Sequence, residues 1–145
     1  MEKKKYYFDT SIWIARLCPG EFYHDEAVKW FEKAEEENAV IVVSDVIIKE
    51  IRGKGEKIEF LFETLCLKLS NSKKVEFVET NQSDEKHAYE ISENCGFPKK
   101  DTVHILTAKR HGLIAVTADI THWPKIAREV GYSVIYVTEV FPASF

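Results

Sequence analysis

With 145 residues, 45% of them hydrophobic and 12% aromatic, the chain is long enough to bury one ordinary core and too apolar to be intrinsically disordered. A formal charge of −4 argues against a protein that grips nucleic acid by bulk positive charge, so any phosphate chemistry needs local lysines and arginines or a metal ion. No apolar run approaches the roughly 20 residues that span a bilayer, and the apolar stretch after Lys3, Lys4 and Lys5 meets Asp9 too soon for a signal peptide, which predicts a cytoplasmic protein with one domain over residues 1–145.

The first predicted strand, Lys5–Phe8, is an aromatic run that ends at Asp9. Two hydroxyls follow, Thr10 and Ser11, and Ser11–Leu17 predicts a short helix stopped by Cys18, Pro19 and Gly20. Ala27, Trp30, Phe31 and Ala34 recur at helical spacing within Asp25–Glu37. Val40–Val43 is the second strand, and Ser44 caps a helix over Asp45–Arg52 that Gly53 and Gly55 end. Ile58, Leu61, Phe62, Leu65 and Leu69 form the apolar stripe of another helix before the third strand, Val75–Val78. Ser83 is the expected cap of a helix through Cys95, with Gly96 as its stop and Pro98 beyond. Asp101–His111 is helical and ends at Gly112; Ile114–Thr117 is the fourth strand. Pro124 suits a first helical turn, Gly131 closes that helix, and Val134–Val137 is the last strand.

Continuous apolar strands alternating with helices predict an α/β architecture, a parallel sheet covered on both faces. The pattern leaves the strand order open. Cys18, Cys66 and Cys95 are odd in number and far apart, which predicts buried thiols rather than disulfides or a zinc site. Asp25, Asp84, Glu85 and the run Glu35–Glu37 read as first-turn charges or solvated faces.

Four other acids fall in more telling places. Asp9 follows the first strand and Asp119 the fourth, and active sites in open parallel sheets form beyond the carboxyl ends of the strands. Glu50 lies one turn from Val46 and Ile47, and Asp101 one turn from Ile105, each on the apolar side of its helix. Each acid has a plain alternative. Asp9 and Asp101 also fit helix caps, Glu50 fits an i, i+4 pair with Lys54, and Asp119 fits a turn. The four together are harder to explain that way. Carboxylates crowded into one crevice stay ionised only around a cation, and an all-oxygen donor set suits Mg²⁺ or Mn²⁺.

The segments FDTS, SDVIIKEI, PKKDTVHILTAKRHG and IAVTADITHW resemble, in order, the acidic blocks of the PIN-domain ribonucleases, and within that family the length and single-domain build look most like VapC-type toxins of toxin–antitoxin pairs. The resemblance implies a three-layer α/β/α fold with strand order 3-2-1-4-5. It also implies Mg²⁺- or Mn²⁺-dependent cleavage of RNA to a 5′-phosphate and a 3′-hydroxyl, a homodimer and an antitoxin partner. It assigns Asp9, Asp101 and Asp119 as metal ligands, with Glu50 holding a water beside the ion or a second ion. Thr10, Ser11 and Thr117 would orient these carboxylates.

RNA also needs positive charge nearby, and Arg16, Arg52, Lys54, Lys99 and Lys100 are the candidates, whereas Lys3–Lys5 should lie at the opposite end. His104, one turn from Asp101, reads first as a satisfied helix histidine and second as a crevice residue. His122 and the remaining histidines carry no ligand spacing. The tail residues Phe141 and Phe145 are expected either to fold back on the core or to meet a partner. Three other readings compete: a PIN nuclease of RNA processing or decay, a non-catalytic PIN scaffold that binds RNA or protein, and a phosphatase with Asp9 as nucleophile. The last wants a second Asp where Ser11 stands.

Overall fold

The computed structural model describes residues 2–141. Five parallel strands, β1 (Lys5–Phe8), β2 (Val40–Ser44), β3 (Val75–Val78), β4 (Ile114–Thr117) and β5 (Val134–Tyr136), lie in the order β3-β2-β1-β4-β5. Helices α1 (Thr10–Leu17), α2 (His24–Glu36), α3 (Asp45–Arg52), α4 (Glu56–Asn71), α5 (Gln82–Cys95), α6 (Lys99–Arg110) and α7 (Trp123–Glu129) connect them. Helix α1 packs on α2, α3 and α4, while α6 packs on α5 and α7, which gives the three-layer α/β/α arrangement.

Strand β1 is central, and its alternation explains the aromatic run. Tyr6 and Phe8 face α2, where their rings meet Trp30 at 5.9 and 6.3 Å. Phe8, Phe31, Trp13 and Phe62 continue this cluster with centroids 4.9–5.0 Å apart, each pair adding about 0.5–1.5 kcal/mol beyond its area burial. Tyr7 points the other way, toward His104 on α6. Because β1 pairs with β4 through Tyr6↔Ile114, Tyr7↔Ala115 and Phe8↔Val116, the acids after these two strands emerge side by side.

Several details depart from expectation. Strand β2 runs one residue further, to Ser44, and β5 stops at Tyr136. Asn81 caps α5 in place of Ser83, its Oδ1 accepting the Asp84 N–H at 2.7 Å. Helix α6 starts two residues early, at Lys99, since Pro98 has a φ of −59° and its carbonyl accepts the first helical bond from Thr102. Gly96 ends α5 with a φ of 73°, a left-handed turn that suits glycine. Of the cysteines only Cys66 is buried; Cys18 is half-buried and Cys95 exposed. Glu37 is no solvated charge, being held by Lys4, Lys33 and the Tyr6 hydroxyl. Phe141 is exposed, and Phe145 lies outside the described residues.

Candidate active site

Asp9 stands where β1 gives way to α1. Its backbone N–H still donates to Val116 O on β4, at 3.0 Å, so the sheet extends to the acid. The side chain caps α1: Oδ1 accepts from the Ile12 N–H at 3.1 Å and from the Ser11 hydroxyl, and Oδ2 accepts from the Thr117 hydroxyl. The cap reading of Asp9 is therefore correct as geometry, and it leaves the carboxylate at the pocket wall. Burial pushes this carboxyl above the ordinary aspartate value, against the lowering effect of its three hydrogen bonds.

Glu50 projects from α3 toward the same point. Its Oε1 accepts the Thr10 hydroxyl at 2.8 Å and lies 2.6 Å from His104 Nε2. Lys54 is not its partner. Burial alone would raise the Glu50 carboxyl, but the hydrogen bond and charge of His104, the Thr10 hydroxyl and the Lys100 charge bring it below the usual range.

Asp101 sits in the first turn of α6 and accepts the Trp123 indole N–H at 3.2 Å; it caps nothing. Burial pushes its carboxyl up, and the charge of Asp119 adds to that, against the Trp123 hydrogen bond. Asp119 follows β4. Its N–H donates to Thr117 Oγ1 at 3.0 Å, and its Oδ1 accepts from the backbone of Thr121 and His122 at 2.7 and 2.9 Å, which makes it a turn residue as well.

All four acids line one pocket of about 240 Å³, together with Thr10, Ser11, Ile14, Lys54, His104 and Trp123. A larger groove of about 320 Å³ between α3, α4 and β3 is mostly apolar, and its Glu59 already pairs with Arg52. The four acids single out the smaller pocket as the candidate site.

At its edge, ligand atoms of Asp101, Asp119 and the exposed His122 lie within 4.8 Å of one another. Asp9 and Glu50 border the same space while turned toward their hydroxyl and imidazole partners. The donor set fits a divalent cation. Two carboxylates meet there without an ion pair to a lysine or arginine, and burial first, then the charge of Asp119, raises the Asp101 carboxyl. His122 was invisible as a candidate because its only signal, a position three residues after Asp119, is also that of an ordinary turn.

The basic candidates divide. Lys54 lines the pocket, and the exposed Lys100 is near enough to act on Glu50. Arg16 instead lies over the Phe31 ring at 5.6 Å beside a different groove, Arg52 binds Glu59 at 3.2 Å, and Lys99 sits over Tyr89 at 5.7 Å. Lys3, Lys4 and Lys5 border a hollow with His111 and Gly112, at the opposite end of the strands.

Residues 6–129 match the PIN domain family model, and the chain belongs to that family. Its fold is shared with solved structures at low sequence identity. VapBC2 from Rickettsia felis, solved with a DNA fragment from its promoter, is 17% identical with a TM-score of 0.65 over 91% of this chain and 98% of that one. VapC20 from Mycobacterium tuberculosis, described as a sarcin-ricin loop cleaving toxin, is 16% identical with a TM-score of 0.62 over 89% and 97%. FitAcB from Neisseria gonorrhoeae is 15% identical with a TM-score of 0.60 over 92% and 98%. No curated protein matches the sequence.

Proposed function

We infer that the chain is a divalent-metal-dependent endoribonuclease that hydrolyses RNA phosphodiesters in the cytoplasm. The observation that carries this reading is the gathering of Asp9, Glu50, Asp101 and Asp119, from four separate segments, around one pocket at the carboxyl ends of β1 and β4. Asp101 and Asp119 would hold Mg²⁺ or Mn²⁺ with Asp9, and His122 stands at the rim as a further donor. A divalent ion bound there would acidify water and neutralise charge on the phosphodiester.

The side chains supply the rest. Ser11 and Thr117 fix the two oxygens of Asp9, and Thr10 fixes one oxygen of Glu50. Among the described residues no hydrogen bond reaches the other oxygen, Oε2, which is left to orient the attacking water. Water attacks phosphorus, the bond to the 3′ oxygen breaks, and the products carry a 5′-phosphate and a 3′-hydroxyl. Lys54 and Lys100 contact the RNA backbone beside the acids.

Biologically, the reading is the toxin of a toxin–antitoxin pair, acting as a homodimer and neutralised by an antitoxin protein. Its support is the shared fold with VapBC and FitAB assemblies over nearly the full length of both chains. Asp9→Asn, which keeps the cap geometry and removes the charge, should lower Mn²⁺-dependent RNA cleavage at least about a hundredfold. Purified Asp9→Asn protein that cleaves RNA at the wild-type rate would reject the assignment.

A further inference from the structure

His104 is 2% exposed and has a partner on each ring nitrogen. Nδ1 is 2.5 Å from the Tyr7 hydroxyl, and Nε2 is 2.6 Å from Glu50 Oε1. The Tyr7 hydroxyl in turn is 2.8 Å from Ser44 Oγ, which accepts the Ile47 N–H and so caps α3, the helix that carries Glu50. The imidazole is packed between two rings, Tyr7 at 5.7 Å and Trp123 at 5.5 Å, and Trp123 also donates to Asp101.

A carboxylate oxygen only accepts hydrogen bonds, so Nε2 must carry a hydrogen. That holds in either protonation state of the ring. With neutral imidazole, Tyr7 donates to Nδ1 and Ser44 donates to Tyr7. With imidazolium, Nδ1 donates to Tyr7 and Tyr7 donates to Ser44. The two hydroxyls can reverse direction, so the hydrogen on the Glu50 side stays in place.

We propose that His104, held by Tyr7, is a positioning residue that fixes one oxygen of Glu50 and so presents the other to the cation and its water. The proposal rests on the nuclease reading above. It gives a use to an aromatic–imidazole–carboxylate chain that joins β1, α6 and α3. A metal-site carboxylate held this way loses about ten- to a hundredfold in metal affinity when its supporting donor is removed.

The test is Mn²⁺ binding by RNA-free protein, followed by the loss of the free-ion EPR signal, beside cleavage measured over a Mn²⁺ series. His104→Ala should weaken Mn²⁺ binding about tenfold and raise the Mn²⁺ needed for half-maximal cleavage by the same factor, with saturating Mn²⁺ restoring most of kcat. His104→Gln keeps an N–H near the Nε2 position and should recover most of the wild-type affinity. Tyr7→Phe leaves Nδ1 without its hydroxyl and should show a smaller shift of the same sign.

Folded His104→Ala with wild-type Mn²⁺ affinity overturns the proposal. If that variant fails to fold, the other two decide, and wild-type affinity in Tyr7→Phe together with a full loss in His104→Gln overturns it. Wild-type protein that binds Mn²⁺ but cleaves no RNA removes the nuclease reading while the binding data still judge His104. Wild-type protein that does not bind Mn²⁺ removes both.

Discussion

At Asp101 the protein places a half-buried carboxyl next to the charge of Asp119, with one indole N–H to set against them. Asp101→Asn keeps an acceptor for Trp123 and deletes the repulsion. It should therefore raise the Tm of metal-chelated protein by about 2–4 °C while ending cleavage, as expected of a strained site. The pH dependence has a definite sign. Asp9 and Asp101 both have raised carboxyls, so their contribution to stability is present at low pH and lost as pH rises through the folded value. The Tm gap between Mn²⁺-loaded and chelated protein should widen as pH rises above the ordinary aspartate range. A gap that stays constant with pH would contradict the placement of the ion near these two acids.

The acids themselves were legible because their positions are unusual locally: two follow strands and two sit on apolar helix faces. The role of His104 was not. Spacing puts it on the Asp101 side of α6, but its partners Tyr7 and Glu50 lie 97 and 54 positions away, and no local pattern encodes such contacts. Tyr7 was hidden for a related reason, since in a strand of aromatics a hydroxyl looks like bulk.

Element boundaries were readable to within one or two residues, and the misses have local causes. Asn81 and Ser83 are both good caps, and the choice went to the residue whose side chain reaches the Asp84 N–H. Glu37 illustrates a different failure, because in sequence it is the last of three glutamates and only the return of β1 beside α2 makes it special. Lys4 binds it at 2.9 Å, Lys33 lies at 3.4 Å, and the Tyr6 hydroxyl donates to it. Burial would raise the Glu37 carboxyl, yet these partners hold it below the ordinary value. A depressed carboxyl stabilises above its unfolded pKa, and that stability is lost as pH falls through the folded value. Glu37→Gln should therefore lower Tm by about 2–4 °C at neutral pH and by much less near pH 3, as scanning calorimetry at the two pH values would reveal.

For the molecule as a whole, alternating strands and helices announced the parallel sheet, whereas the order β3-β2-β1-β4-β5, which that alternation leaves open, was legible only through the resemblance of the four acidic blocks to the PIN family. On the proposed nuclease reading, a chain of net charge −4 would engage RNA through a few cations, and Lys54 and Lys100 are placed near the acids. Replacing both with alanine should weaken RNA binding and make the slope of log affinity against log salt shallower by about 1.4, which filter binding across a salt series would measure. Alanine at Arg16 and Arg52 should leave the slope unchanged, since Phe31 and Glu59 already engage them.

The sheet order also bears on synthesis. Strand β1 emerges first from the ribosome, finds β2 early, and waits for β4 before its second edge is covered. Asp9 and Thr117, which end up hydrogen-bonded, are translated 108 codons apart. A nascent chain released before that point leaves β1 open on one side, so interrupted translation yields a fragment whose uncovered strand edge is prone to stick.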